Sequence, residues 1–332
     1  MQDTTESKDD VKLVIQIPCY NEEKTLPETL DDLPDTFEGV NEVDILVVDD
    51  GSMDNTAEVA RDRGVDHLIQ FPYNKGLATA FHTGLIQSVR QDADLVVNVD
   101  GDNSFKGSEI PRLIQPILQN ESDIVIGERK GPNREEFSWT KKILHTIGCM
   151  VVRQLSNTDI PDVTCGFRAY SREAALRLNV VSRFTYTLET IIQAGSENLS
   201  ITSVPIETNP PRRESRLYDS HLDYVRKSMN TIIRMFITYQ PLKFFGTLGA
   251  VIFTAGFLLG CRYIYLYFMG GGPGHLPSLL LSSVLLISGF LVIITGLVAD
   301  VVSSNRKLIE EVLYLQRKRD ISQHDPSSDP SR

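Results

Sequence analysis

The sequence predicts an α/β fold: a mostly parallel sheet with helices on both faces, followed by a two-helix transmembrane hairpin. Three observations carry this. Short β-branched runs alternate with helical patterns from Leu13 to Gly127. Polar clusters fall directly after three of those runs. Two late apolar stretches, Phe244–Phe268 and Pro277–Val302, each exceed the ~20 residues that cross the hydrocarbon core of a bilayer.

In chain order, Leu13–Ile17, Asp44–Val48, His67–Phe71, Leu95–Val99 and Ile124–Gly127 read as buried strands. Thr25–Leu33, Asn55–Asp62, Gly76–Val89 and Ser108–Leu118 read as the helices between them. That alternation implies parallel strands joined by helical crossovers, and ligands in such sheets sit outside the carboxyl ends of the strands. Beyond Gly127 the pattern changes. A helix over Trp139–Leu155, a short segment at Cys165–Tyr170 and a helix around Thr187–Ala194 suggest a smaller, acceptor-binding half. Ser220–Tyr239 spaces apolar residues helically between Arg226, Lys227 and Arg234, the pattern of a helix on an anionic membrane surface. The expected organisation is a polar tail over 1–10, a cytosolic catalytic-type domain over 11–219, membrane-surface helices over 220–242, two transmembrane helices over 243–303 and a cytosolic tail over 304–332.

The 332 residues carry a formal net charge of -11. That balance argues against a nucleic-acid binder, which needs excess Lys and Arg to displace counterions. Acidic residues crowd the first third, and Arg and Lys gather between Arg212 and Lys243, so a basic face is expected near something anionic. Cys19, Cys149, Cys165 and Cys261 show no C-x-x-C spacing, which indicates neither zinc nor a disulfide framework. Met1–Asp10 lacks the basic and apolar regions of a signal peptide. Gly270–Gly274 reads as a tight turn between the spans. Lys243 before them and Arg306 and Lys307 after them place both ends in the cytosol by the positive-inside rule. Arg262 is expected to snorkel from the outer end of the first span. Membrane lipids are thus expected partners, and the sequence leaves a homo-oligomer open.

Asp100-Gly101-Asp102 emerges from a buried strand. Two carboxylates so spaced can share a hard divalent cation, and Mg²⁺ keeps only one or two protein carboxylates while taking its other ligands from phosphates and water. A metal–diphosphate clamp is chemically natural there. Asp49-Asp50-Gly51-Ser52 repeats the logic at another strand end. Gly51 permits a sharp turn, Asp54 or Asn55 can cap the next helix, and a carboxylate there can accept hydrogen bonds from a base or ribose.

Pro18-Cys19-Tyr20-Asn21-Glu22, Asp49-Asp50-Gly51-Ser52, Asn74-Lys75-Gly76, Asp100-Gly101-Asp102 and Gly127-Glu128-Arg129 occur in this order. The set resembles family 2 glycosyltransferases of the GT-A, Rossmann-like fold. Cys165-Gly166-Phe167-Arg168-Ala169-Tyr170 and Glu214-Ser215-Arg216-Leu217 are similar to the branch containing dolichyl-phosphate mannosyltransferase and bacterial polyprenyl-phosphate glycosyltransferases. The resemblance covers roughly the first two-thirds of the chain. It implies a UDP- or GDP-sugar donor contacted by Pro18, Tyr20, Asn21, Glu22, Asp49, Asp50, Lys75, Asp100 and Gly101. It implies Mg²⁺ or Mn²⁺ at Asp100 and Asp102, and inverting transfer to a polyprenyl phosphate, dolichyl or undecaprenyl. Where the family commonly continues with Leu-Gln, this chain has Asn103-Ser104, and Ser104 is a poorer metal ligand.

A polyprenyl phosphate is largely anionic at neutral pH, its second pKa being about 6, so a strong general base is unnecessary and cations must meet the acceptor. Arg129 is the first choice, because its fork can bind phosphate bidentately. Lys142 and Thr146 lie four apart on one helix face and resemble a pair the family uses for that phosphate; Arg213 and Arg216 are further contacts. Asp102 and Arg129 are the expected catalytic residues, and Asp162 orients a cation or caps a turn. Three other readings fit less well. A haloacid-dehalogenase-type phosphotransferase needs a downstream acidic pair that is missing, and a processive polysaccharide synthase needs a Q-x-x-R-W motif that the only Trp, Trp139, does not supply. A membrane-tethered nucleotide-sugar sensor, or a family member with another membrane acceptor, remains as an alternative.

Overall fold

A computed structural model describes residues 10–129, 158, 160–180, 186–210, 233–234, 237–271 and 276–324. The chain forms two compact units: Met1–Val225 with Val312–Arg332, and Arg226–Glu311.

The first unit is built on seven strands: β1 (Lys12–Cys19), β2 (Glu42–Asp49), β3 (His67–Gln70), β4 (Leu95–Asn98), β5 (Ile124–Arg129), β6 (Arg168–Ser171) and β7 (Ile201–Ile206). Their order across the sheet is β3-β2-β1-β4-β6-β5-β7. All pairs are parallel except those of β6, which runs antiparallel to β4 and β5. Seven consecutive residues of β1, Leu13–Cys19, are buried, as a parallel strand covered on both faces requires. The helices are α1 (Leu26–Asp31), α2 (Thr56–Asp62), α3 (Leu77–Arg90), α4 (Ile110–Leu118), α5 (Arg172–Arg177) and α6 (Thr187–Ser196). On α3 the buried residues include Ala78, Phe81, Leu85 and Val89, a helical stripe facing the sheet. Gly84 is needed where α3 meets β1, because a Cβ there would sit 2.4 Å from Gln16 Oε1.

The chain runs outward from β1 through β2 to β3, then returns through α3 to place β4 on the other side of β1. That reversal is a topological switch point, where α/β sheets form a crevice at the strands' carboxyl ends. The reversed direction of β6 brings its amino end to the same edge, with Arg168 level with Asn98 of β4 and Ile126 of β5. The sheet and its order bear out the predicted α/β class. β6, β7 and α5 were not anticipated as such; the expected Cys165–Tyr170 segment becomes strand only from Arg168.

Two long helices follow, α7 (Pro241–Leu266) and α8 (Leu276–His324), with a π-helical turn over Tyr267–Gly271 after α7. Both are long and apolar enough to cross a membrane, their 18-residue apolar stretches having mean hydropathies of 1.9 and 2.5. Within the second unit they meet through small residues: Cβ atoms at Gly249 and Gly289 would lie 2.8 and 2.9 Å from the other's carbonyl oxygen, and Ser282 Oγ donates to the Gly256 carbonyl at 2.7 Å. Close backbone approach of this kind is how helices associate where lipid removes the hydrophobic drive. Phe257, Leu258, Leu281 and Phe290 point outward and are exposed.

The last stretch of α8 belongs to the first unit. Tyr314 is buried, its hydroxyl donating to Glu173 at 3.1 Å, and the Arg177 guanidinium lies 4.2 Å from its ring centre. Arg317 donates to the carbonyls of Leu176 and Leu178 at 3.1 and 3.0 Å. These carbonyls end α5, where no intrahelical donor remains, so a residue distant in sequence caps that helix.

Candidate active site

The loops after β1 and β2 are knitted together. Asn21 adopts a left-handed conformation, φ 56°, which Asn tolerates better than most residues. Its N–H donates to Ser52 Oγ at 2.9 Å, and its Oδ1 accepts the Met53 N–H at 2.8 Å. The Glu22 N–H donates to Thr56 Oγ1 at 2.8 Å, and its buried carboxylate accepts from Thr25 Oγ1 at 2.5 Å. Pro18 is buried at the end of β1 and Tyr20 is exposed beyond it. At α2, Asp54 supports the first turn through the Thr56 N–H at 3.1 Å, while Asn55 makes no side-chain cap.

The two acids after β2 divide their work. Asp50 clamps the next loop, accepting from the Lys75 and Gly76 N–H groups at 2.7 and 2.9 Å. Burial raises its pKa despite those bonds. Gly51, φ 69°, is obligatory: a Cβ would sit 2.4 Å from the Tyr73 carbonyl carbon. Lys75 is exposed, its ammonium 4.4 Å from the Phe71 ring centre. Asp49 is wholly buried; Oδ1 accepts the Ser52 N–H at 2.9 Å, whereas Oδ2 has no partner among the described residues. A buried carboxylate oxygen without a donor is costly, and a ligand N–H would relieve it.

Beyond β4, burial pushes Asp100 up to about 7, and the charge of Asp102 adds to this; Arg129 and Arg168 oppose it only in part. A Cβ on Gly166 would stand 3.1 Å from both Asp100 carboxylate oxygens, and one on Gly101 would meet Cys19 Sγ at 2.7 Å. Asp102 Oδ1 accepts the Ser104 N–H at 3.0 Å. Among the described residues no group of three or more His, Cys, Asp or Glu converges as a cage. Two hard carboxylates, one resisting ionisation beside the other, fit a divalent cation that takes its remaining ligands from diphosphate and water.

Arg129 closes the row from the end of β5. Its Nε donates to Asp162 Oδ2 at 2.8 Å, and its Nη2 donates to Asp162 Oδ1 at 3.0 Å and to Thr164 Oγ1 at 2.9 Å. Burial would weaken the cation, but the Asp162 hydrogen bond and charge outweigh that and hold the guanidinium above its ordinary pKa. Asp162 is correspondingly lowered, burial being outweighed by Arg129. The side chain of Arg129 is 44% exposed and that of Asp162 6%: the acid is a fixed anchor and the cation is half-exposed.

Behind these groups lies a polar layer that the motifs alone did not reveal. Gln16 Nε2 donates to Asn98 Oδ1 at 3.0 Å, and Asn98 Nδ2 donates to the Gly166 carbonyl and the Tyr186 hydroxyl, each at 3.0 Å. Arg168, fully buried, donates to the carbonyls of Cys165, Val163 and Thr187 and to Thr190 Oγ1. These bonds hold the 163–168 turn, and with it Gly166 and Thr164, at the sheet edge. The only sequence signal was the Cys165–Tyr170 motif. Lys142, Thr146, Arg213 and Arg216, with the expected helix over Trp139–Leu155 and all of the membrane-surface helix before residue 233, lie outside the described residues.

The family description that matches the chain is Glycosyl transferase family 2, over residues 14–178. The undecaprenyl-phosphate mannosyltransferase of Micrococcus luteus is 30% identical over 206 residues, covering 59% of this chain and 83% of the relative. The UDP-N-acetylglucosamine–dolichyl-phosphate N-acetylglucosaminyltransferase of Methanococcus voltae is 29% identical, covering 60% and 86%. Glycosyltransferase AglJ of Haloferax volcanii is 26% identical over 90% of this chain and 97% of its own length. Among solved structures, glucosyl-3-phosphoglycerate synthase from Mycobacterium tuberculosis with uridine diphosphate superposes with a TM-score of 0.54 at 20% identity, over 68% of this chain and 79% of that one, which shows the shared fold.

Proposed function

The chain belongs to glycosyl transferase family 2, a glycosyltransferase of the polyprenyl-phosphate sugar transferase type, and we propose that it transfers a sugar from a UDP- or GDP-sugar to a polyprenyl phosphate, dolichyl or undecaprenyl. The transfer inverts the anomeric centre, depends on Mg²⁺ or Mn²⁺, and takes place at the cytosolic membrane face. The observation that carries this reading is the placement of Arg129. A half-exposed guanidinium anchored on Asp162 stands at the sheet edge that also carries the Asp100–Asp102 pair. A site built for a neutral hydroxyl acceptor would need a base there; this one presents a cation.

The unpartnered Oδ2 of Asp49 accepts an N–H of the donor's base. Asp50 holds the Lys75–Gly76 turn that closes over the same end of the sheet. Asp100 and Asp102 hold the cation, which supplies charge neutralisation for the leaving diphosphate; Mn²⁺ and Mg²⁺ accompany UDP in complexes of the tuberculosis synthase. Arg129 draws the acceptor phosphate in through Nη1, the nitrogen that Asp162 and Thr164 leave unengaged, and the phosphate oxygen, already anionic, attacks the anomeric carbon opposite the diphosphate. Lys142, Thr146, Arg213 and Arg216 supply further phosphate contacts. Lys243, Arg306 and Lys307 flank the spans on the cytosolic side.

The test offers purified protein a panel of labelled nucleotide-sugars with polyprenyl phosphate and Mg²⁺ or Mn²⁺. Labelled lipid should form with one donor and fall at least ~100-fold in Asp102→Asn, as loss of a principal transition-state contact does. No labelled lipid with any donor, or an undiminished Asp102→Asn, would overturn the reading and leave a nucleotide-sugar sensor in its place.

A further inference from the structure

The Asn103-Ser104 pair that departs from the family's usual Leu-Gln has a structural partner on the far side of the sheet edge. Asn103 is buried and left-handed, φ 56°. Asn209, 106 residues later, directs its Nδ2 at the Asn103 carbonyl (3.0 Å), at Asn103 Oδ1 (3.2 Å) and at the Phe105 carbonyl (3.3 Å). An amide nitrogen has two hydrogens, so three acceptors share them and the loop is gripped around one point. The Asn209 N–H donates to the Ser104 carbonyl at 3.0 Å. Phe105 forms an antiparallel bridge with Thr208, and Lys106 pairs with Glu207 at 2.6 Å. Residues 103–106 and 207–209 therefore zip together as a clasp.

Its position gives it consequence. β7 ends at Ile206, level with Arg129 of β5, so 207–209 leave the sheet at the end of the strand that carries Arg129. At the other end, Ser104 receives Asn209 through its carbonyl and donates its own N–H to Asp102 Oδ1. Phe105 is stacked on Phe167, ring centres 5.0 Å apart, which steadies the loop from the Gly166 side. Without the clasp, a loop that starts at Asp102 would keep its aromatic anchor but lose every bond from 207–209.

We propose that Asn209 is a positioning residue for the metal–diphosphate clamp, its side chain acting through Asn103 and Phe105 to hold the loop from which the Ser104 N–H orients the Asp102 carboxylate. This rests on the divalent-cation part of the function proposed above. Asn103 is selected here as the residue that takes the left-handed conformation and offers a side-chain acceptor to Asn209; direct metal ligation is left to Asp100 and Asp102.

The test uses full-length protein in detergent and measures Mn²⁺ binding in the presence of UDP or GDP, by the loss of the free Mn²⁺ paramagnetic resonance signal, without turnover. Asn209→Ala should weaken Mn²⁺–nucleotide binding about 10-fold, the order expected when a second layer of ligand support is removed, and raise the KM for Mn²⁺ more than it lowers kcat. Asn103→Gly keeps the backbone conformation but removes the side-chain acceptor, and should weaken binding about threefold, within the range of one neutral hydrogen bond. Arg63→Ala, which removes only the exposed ion pair with Asp31, away from the clasp, should bind as wild type does. If Asn209→Ala fails to fold, Asn103→Gly decides alone. Wild-type Mn²⁺ binding in a folded Asn209→Ala or in Asn103→Gly overturns the proposal, whatever happens to Tm. A wild-type protein that binds no Mn²⁺ with either nucleotide instead overturns the metal reading beneath it, and the proposal with it.

Discussion

Gly166 and Asp100 approach so closely that a methyl group on Gly166 would stand 3.1 Å from both carboxylate oxygens and 2.8 Å from the Tyr186 hydroxyl. The Gly166 carbonyl is meanwhile fixed by Asn98, so the backbone has little room to withdraw. Gly166→Ala should therefore press on Asp100, one of the two carboxylates proposed above to hold the cation. We expect the Mn²⁺ concentration for half-maximal activity to rise about 10-fold, the scale of a disturbed metal-site neighbour, with Tm lowered by only a few degrees. Metal titrations of activity beside thermal melts check this; an unchanged metal requirement would show that Gly166 serves packing alone.

Asp162 holds Arg129 by two parallel bonds, and charge-assisted pairs of this geometry fix orientation as well as charge. Asp162→Ala would leave the cation present but free to swing. The KM for polyprenyl phosphate should rise about 10-fold while the KM for the nucleotide-sugar stays within twofold. Arg129→Lys, which keeps a charge and loses the fork, should follow the same pattern. Steady-state kinetics with each substrate varied in turn separates the two. Equal damage to both substrates would count against an acceptor-specific role.

Between the apolar helices, Gly256 leaves room for Leu285 and Ser282: a Cβ would fall 2.8 Å from Leu285 Cβ and 3.1 Å from the Ser282 carbonyl oxygen. Gly256→Leu should break the hairpin, seen as lower recovery from mild detergent and a lower Tm. Ser282→Ala removes one interhelical bond and should cost only about 0.6–1 kcal/mol, as such bonds usually do in membranes. Comparable losses in both variants would mean that the helices are not packed through this small-residue seam.

Which parts of this site were legible in the sequence follows from the range of the forces involved. Asp49, Asp100 and Arg129 were placed correctly at one sheet edge because parallel strands buried on both faces read as apolar runs, and each polar cluster directly follows one. β6 was not recognised as a strand, since Arg168-Ala169-Tyr170-Ser171 shows no alternation, and its Arg is buried as fully as Ala169 and Tyr170 beside it. The Arg168 donors are satisfied by carbonyls of the folded 163–168 turn and by Thr187 and Thr190 of α6, a geometry with no one-dimensional signature. Asn209 on Asn103 and Arg317 on the end of α5 are longer-range still, over 106 and 141 residues. Neither Asn209 nor Arg317 falls in any of the motifs that the sequence offers. Asp50 is subtler: its motif was visible, but only the structure pairs both oxygens with the Lys75 and Gly76 amides.

The end of α8 gives the catalytic unit a pH-sensitive seam. His82 on α3 lies against Arg317, Nη2 to Nε2 at 3.4 Å. Burial first, and then the Arg317 charge, lower its pKa from 6.5 to about 4. The folded state therefore holds a neutral ring until about pH 4, whereas the unfolded chain takes up a proton near 6.5. Between those values the unfolded state binds more protons, so stability rises with pH through that window and is lost as acid carries the protein from 6.5 down to 4. The full effect is at most about 3 kcal/mol, at 1.36 kcal/mol per pKa unit. His82→Gln retains an acceptor for Arg317 and cannot titrate. Thermal melts from pH 7.5 to 4.5 should show wild type losing more Tm on acidification than His82→Gln, with the gap opening below pH 6.5. Parallel curves would mean that the acid sensitivity of this unit resides elsewhere than in the His82–Arg317 contact.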